Sequence, residues 1–226
     1  MCNIYYINKI KMIKIAPSIL AANLVDIKEE VELVDKNGAE YIHIDVMDGH
    51  YVPNITFGPN IVKSLRPITK KKLDVHLMIS PVAKYIDNFI KAGADIISFH
   101  PEADQNSKEI IKIIKSNNCK AGIAIHPKIN ISDIVQYIDS IDLVVVMTVV
   151  PGFGGQKFME SEVAKITELK KIKNEKKLNF EIEIDGGINN ETAKICKTNG
   201  ADVLVAGSYI FSKNKDEYKN LIDSLR

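Results

Sequence analysis

The segment Tyr41-Ile42-His43-Ile44-Asp45-Val46-Met47-Asp48-Gly49 sets a histidine and an aspartate two residues apart within an apolar run. Strand side chains alternate between two faces, so His43 and Asp45 share one face while Ile42 and Ile44 take the other. Leu73-Asp74-Val75-His76-Leu77-Met78 puts His76 on the equivalent face of a second run. Phe180-Glu181-Ile182-Glu183-Ile184-Asp185-Gly186-Gly187 ends a third run with Asp185. Two imidazoles and two carboxylates are a donor set for one divalent ion, zinc first, with iron(II), manganese or cobalt as alternatives. A lone inward histidine is more often a core residue with its hydrogen bonds satisfied. Four converging polar groups, each costing about 1–3 kcal/mol if left unpaired, favour a metal site.

Asp45 and Asp185 suggest a second chemistry. Carboxylates on opposite sides of one substrate can remove a proton from one face of a carbon and return one to the other, inverting that centre. A divalent ion on an adjacent carbonyl oxygen would stabilise the negative charge that develops. The expected reaction is therefore a proton transfer beside a ketone.

Glycine clusters point to an anion. Pro151-Gly152-Phe153-Gly154-Gly155-Gln156, Gly186-Gly187-Ile188-Asn189 and Gly207-Ser208 each follow a strand-like run. Glycines let backbone N–H groups approach an anion closely, and a helix N-terminus adds a favourable dipole. One such cluster is commonly just a tight turn. Three at consecutive strand ends suggest a phosphate seat built from backbone dipoles.

These groups need a frame that brings distant strand ends together. Strand-like runs near 14–19, 40–46, 73–79, 95–100, 120–126, 142–148, 179–185 and 202–207 alternate with helical periodicity. The helices fall near 24–37, 59–66, 82–92, 106–118, 131–138, 157–176, 190–198 and 215–225. Asn37-Gly38-Ala39-Glu40, Ala92-Gly93-Ala94-Asp95 and Asn199-Gly200-Ala201-Asp202 repeat one helix-to-strand joint, each glycine where a helix ends at positive φ. Eight strands and eight helices predict an α/β fold, a single (β/α)8 TIM barrel, with its chemistry at the C-terminal strand ends. An open doubly wound sheet is the rival. It usually carries a glycine-rich turn after its first strand, where this chain has Pro17-Ser18-Ile19-Leu20-Ala21.

Composition leaves room for one domain. The chain has 226 residues, 46% hydrophobic and 26% charged, and a formal net charge of +1. Such a balance gives no bulk electrostatic reason to expect nucleic acid or membrane as a partner, and no apolar run approaches the length of a span. Cys2, Cys119 and Cys196 share no metal or redox spacing, which suggests free thiols in a reducing compartment and a cytoplasmic location. Residues 1–12, broken by Lys9 and Lys11, read as an N-terminal extension ahead of a catalytic domain over 13–226.

Other residues carry weaker signals. Met47, Met78 and Met147 lie at strand ends, where they either fill the core or form a polarizable, water-excluding wall over the substrate. Ser18 either binds substrate or caps a turn. His50, His100 and His126 lie near loops at the same face, as outer or solvent-facing residues. Glu181 and Glu183 share the inward parity of Asp185, and Lys14 is expected to form a structural ion pair there.

Five phrases together resemble the ribulose-phosphate 3-epimerase family. They are Ile15-Ala16-Pro17-Ser18-Ile19-Leu20, Asp45-Val46-Met47-Asp48-Gly49 through Val52-Pro53-Asn54, His76-Leu77-Met78, Pro151-Gly152-Phe153-Gly154-Gly155-Gln156 and Asp185-Gly186-Gly187-Ile188. The resemblance runs from about Ile13 to the C-terminus. It implies interconversion of D-ribulose 5-phosphate and D-xylulose 5-phosphate in the pentose phosphate pathway. It also implies metal binding by His43, Asp45, His76 and Asp185, and acid/base roles for Asp45 and Asp185. Ser18, Gly152, Phe153, Gly154, Gly155, Gly186, Gly187, Gly207 and Ser208 match substrate-binding positions, His76 is expected to touch substrate as well as metal, and homo-oligomers are implied. The N-terminal extension has no counterpart, and Val150 stands where many members carry a polar residue.

Three alternatives remain at this level. One is another enzyme of the phosphate-binding barrels, a metal-assisted aldolase or a decarboxylase; the related decarboxylases place a lysine between two aspartates on this strand, where Asp45-Val46-Met47-Asp48 has none. A 3-epimerase of a hexulose phosphate would use the same chemistry. A non-catalytic metal- or phosphate-binding barrel would not need carboxylates on opposite faces.

Overall fold

A computed structural model describes residues 12–226. The extension read over 1–12 lies outside the described residues except for Met12, which is exposed. Eight parallel strands form one sheet: β1 (Lys14–Pro17), β2 (Tyr41–Met47), β3 (Lys72–Met78), β4 (Ile96–Phe99), β5 (Lys120–Ile125), β6 (Leu143–Met147), β7 (Glu181–Asp185) and β8 (Val203–Ala206). Ladders join each strand to the next from β2 to β8, and β8 to β1. The remaining seam, between β1 and β2, closes through a parallel bridge at Ser18–His43 and a bond from the Glu40 amide to the Ile15 carbonyl. The result is the TIM barrel.

Helices α1 (Ile27–Lys36), α2 (Pro59–Leu65), α3 (Ile86–Ala92), α4 (Ser107–Ser116), α5 (Ile131–Ile134), α6 (Val163–Glu175), α7 (Asn190–Asn199), α8 (Ser208–Phe211) and α9 (Tyr218–Ser224) make the outer layer. Ile42, Ile44, Val75, Leu77, Ile182 and Ile184 pack outward against it in the main core. Gly38, Gly93 and Gly200 end or follow their helices at φ of 100°, 101° and 118°, as the repeated joint requires.

Helix boundaries differ from expectation where the chain is tied back to the barrel. The helix expected from 157 starts only at Val163, because the Met159 amide donates to the Thr148 carbonyl and holds this stretch against the end of β6. The helix read over 131–138 divides into α5 and a 3-10 turn at Val135–Tyr137. The short α8 after β8 has no counterpart among the expected helices, since its four residues carry no detectable period.

Barrel packing has two halves. Ile96, Ala124, Leu143, Val145, Met147, Val203 and Val205 belong to an apolar inner cluster. The inward positions of β1, β2, β3 and β7 carry Lys14, Tyr41, His43, Asp45, Asp74, His76, Glu181, Glu183 and Asp185. At the bottom, Lys14 pairs with Glu181 and donates to the Tyr41 hydroxyl at 2.7 Å, and that hydroxyl donates to Glu181 at 2.6 Å. The anticipated ion pair thus forms with Glu181. Glu183 is fully buried, and neither of its oxygens makes a hydrogen bond.

Candidate active site

His43, Asp45, His76 and Asp185 converge at the C-terminal end of the barrel, each offering a donor atom within 4.8 Å of the others. Their strands explain the convergence. Asp45 is level with His76 across the β2–β3 ladder, and Asp185 ends β7 beside Met147. His43 Nε2 lies 3.5 Å from Asp45 Oδ1 and 3.8 Å from Asp185 Oδ2, and His76 Nδ1 lies 3.7 and 3.4 Å from the same oxygens. Both nitrogens are buried without a hydrogen-bond partner.

The donor set fits a divalent cation. Ligand bonds of about 2.1 Å in tetrahedral array separate donor atoms by about 3.4 Å, against 3.4–3.8 Å for the four nitrogen–oxygen distances here. Unpartnered imidazole nitrogens turned toward carboxylates are costly unless something binds between them.

Electrostatics agree. Burial alone would raise the Asp45 pKa, but His43 and His76 outweigh it and hold the carboxyl far below the usual range. Burial opposes protonation of His43, yet Asp45 and Asp74 raise its pKa well above the ordinary imidazole value. His76 is likewise raised, by Asp185 and Asp45 against its own burial. The cluster thus holds protons that a cation would displace.

One neighbour, Asp74, escapes the sequence reading, and of the outer or solvent-facing roles read for His100 the structure gives the outer one. Asp74, fully buried, accepts from His43 Nδ1 at 2.7 Å. Its parity with His76 is the available signal. His100, also fully buried, places Nε2 3.0 Å from His76 Nε2, and burial lowers its pKa to about 4. Among the other loop histidines, His50 is exposed and His126 half-buried.

Above the cluster lies a cavity of about 360 Å³, within the usual range of small-molecule sites, roughly 300–1,000 Å³. Ser18, Asp45, Met47, Met78, Met147 and Asp185 line its floor and wall. The Ser18 hydroxyl donates to Asp45 Oδ2 at 2.5 Å. His43 and His76 are sealed beneath. Phe153, Gly154, Gly155, Gly186, Gly187, Gly207 and Ser208 line the opposite rim. Gly152 lies outside the lining, and its carbonyl accepts from Asn54 Nδ2 at 2.8 Å. Gln156 Nε2 donates to the carbonyls of Val150 and Phe153 at 2.6 and 2.8 Å, pinning the loop whatever side chain Val150 carries. Gly187 has φ of 66°, and a Cβ there would stand 2.6 Å from the Phe158 nitrogen.

Two solved structures of similar shape share the fold alone. A 3-keto-L-gulonate-6-phosphate decarboxylase from Vibrio cholerae aligns with TM-score 0.72 at 17% identity, covering 95% of each chain. KGPDC from Streptococcus mutans aligns with TM-score 0.71 at 15% identity, also covering 95% of each chain.

Sequence relatives are far nearer. The ribulose-phosphate 3-epimerase of Bacillus subtilis is 49% identical over 216 residues, covering 95% of this chain and 99% of its own. That of Escherichia coli is 40% identical over 217 residues, covering 96% of each. The chloroplastic enzyme of Arabidopsis thaliana is 47% identical over 199 residues, covering 87% of this chain and 71% of its own. The model of the ribulose-phosphate 3 epimerase family matches residues 14–211. With both the family model and full-length relatives aligned across the barrel, the chain belongs to the ribulose-phosphate 3 epimerase family and is an isomerase.

Proposed function

We propose that this chain interconverts D-ribulose 5-phosphate and D-xylulose 5-phosphate by inverting C3, with Asp45 and Asp185 as the acid/base pair. One observation carries the reading. Carboxylates from β2 and β7, separated around the barrel by β1 and β8, bring oxygens within 4.8 Å of each other on the floor of one cavity.

A divalent cation held by His43, Asp45, His76 and Asp185 would supply Lewis-acid stabilisation of the charge on the substrate's C2 oxygen. The chain's own groups do the rest. Asp45 Oδ1 and Asp185 Oδ2 face the histidines, which leaves the second oxygen of each for proton exchange. The Ser18 hydroxyl orients Asp45 Oδ2. One carboxylate takes the C3 proton from its side, giving an enediolate, and the other delivers a proton to the opposite side. In the reverse direction the roles exchange.

Met47, Met78 and Met147 wall the reacting carbon from water. Backbone N–H groups along Phe153, Gly154 and Gly155, at Gly186 and Gly187, and at Gly207 and Ser208 are the proposed contacts of the phosphate end. The short α8 beginning at Ser208 is the kind of extra helix on which barrel enzymes seat phosphate. The reading includes a place in the pentose phosphate pathway, a cytoplasmic location and homo-oligomers, all supported by family membership. It also includes a catalytic domain over 13–226 behind an extension at 1–12. Among the described residues, no helix is long and apolar enough to cross a membrane.

The test is exchange in deuterated water. Metal-loaded protein given ribulose 5-phosphate should place solvent deuterium at C3 of both pentulose phosphates. Turnover without exchange at C3, or exchange only with a hexulose phosphate, would refute the proposal.

A further inference from the structure

The two histidines of the site are oriented by different means. His43 turns Nε2 toward the carboxylates and Nδ1 toward Asp74 at 2.7 Å, the carboxylate support that metal-binding histidines commonly have. His76 is reversed. Its Nδ1 faces Asp45 and Asp185, and its Nε2 meets an imidazole, His100 Nε2, at 3.0 Å.

Two ring nitrogens at that distance need one proton between them. For His76 Nδ1 to present a lone pair to the site, the proton must sit on His76 Nε2. His100 Nε2 must then accept, so neutral His100 carries its own proton on Nδ1. The groups around Nδ1 suit this. It has no hydrogen-bond partner, but the Glu102 carboxylate stands 3.6 Å away, and its negative charge favours N–H on that side. The Tyr51 hydroxyl donates to the same Glu102 oxygen at 2.8 Å, and the Tyr51 ring packs on His100 with centroids 5.0 Å apart.

We infer that His100 is a positioning residue. It accepts the Nε2 proton of His76, and with Glu102 holding its own proton on Nδ1 it fixes His76 in the tautomer whose Nδ1 is free to bind a cation. The inference rests on the proposed metal site.

The first test needs no metal and no turnover. Two-bond proton–nitrogen correlations of the imidazoles in metal-free wild-type protein should show a proton on His76 Nε2, whether or not Nδ1 also carries one, and the His100 proton on Nδ1. His100 protonated at Nε2 would overturn the inference. The second test compares His100→Phe, which keeps a ring but cannot accept, with His100→Gln, whose amide oxygen can. By competition with a chromophoric chelator, the Phe variant should bind Zn²⁺ about 10–100-fold more weakly, and the Gln variant should recover most of that loss. Equal losses, or wild-type affinity in the Phe variant, would refute the role. Should His100→Phe not fold, Glu102→Ala, at a partly exposed position, reads the same tautomer. His100 should then populate the Nε2–H form, and an unchanged spectrum counts against Glu102. Wild-type protein that binds no divalent ion would instead defeat the metal-site reading, while the spectrum still decides the tautomers.

Discussion

Replacing Lys14 with methionine removes one cation from the bottom of the barrel and keeps the aliphatic stem. Lys14 Nζ bonds both Glu181 and the Tyr41 hydroxyl, and its side chain is 29% exposed against 12% for Glu181. A hydrogen bond to a charged group contributes about 1.5–3 kcal/mol. Partial exposure, the surviving Tyr41–Glu181 bond at 2.6 Å and Lys120 at 3.9 Å from Glu181 all reduce the loss, so about 1–2 kcal/mol is expected. With about 2.1 cal/mol/K of unfolding entropy per residue, a chain of 226 residues should lose about 2–4 °C in Tm.

The pH dependence has a definite sign. Burial raises the Glu181 pKa, but Lys14 and Tyr41 more than offset it, and the folded-state value lies below normal. A depressed carboxyl stabilises the fold fully above its unfolded pKa, about 4.3, and that contribution fades as pH falls through the folded value. Calorimetric melts should therefore show a constant difference between wild type and variant above about pH 5, narrowing below about pH 4.3. An unchanged Tm at about pH 7.5, or a difference that widens in acid, would refute the assignment of Lys14 and Glu181 as a stabilising pair.

Asp185→Asn should fold normally and lower kcat by about 10²–10⁴, the usual range for losing a general acid or base. Steady-state assay alongside circular dichroism checks it, and near-native turnover would remove Asp185 from the proton path. Gly187→Ala should lose stability by about 1–3 kcal/mol, as a strained residue at positive φ does, because its Cβ would meet the Phe158 backbone. Urea unfolding reads the loss, and KM should rise as the rim shifts. A wild-type unfolding midpoint would mean the loop relaxes without cost.

The four site residues are legible in the sequence because strand parity depends on neither register nor tilt. His43 and Asp45 have to share a face, and the repeated glycine joints supply a frame in which such faces meet. Pairing across strands is less legible. Along the ladders, Lys14 is level with Val203, which is level with Glu183. Barrel strands are tilted to the axis, by about 36° in this fold. Crossing two strands therefore displaces a horizontal layer along the chain, and Lys14 meets Glu181. Asp74 has the right parity and still escapes notice, because a support role depends on a partner, His43, one strand away. His100 is illegible as a partner of His76 for the same reason, since its role lies in which nitrogen faces which.

The seam between β1 and β2 has a further consequence. Every other neighbouring pair is joined by a run of ladder bonds, whereas the backbone here is fastened by the Ser18–His43 bridge and the Glu40–Ile15 bond, with the Lys14–Tyr41 and Ser18–Asp45 side-chain bonds beside them. Local opening begins where few such bonds must break. Both residues of the bridge are also active-site parts, for Ser18 steadies Asp45 and His43 is one of the four converging donors. Unzipping this edge would silence the enzyme while most of the cylinder stays intact, so the temperature at which activity disappears can fall below the one at which the chain melts.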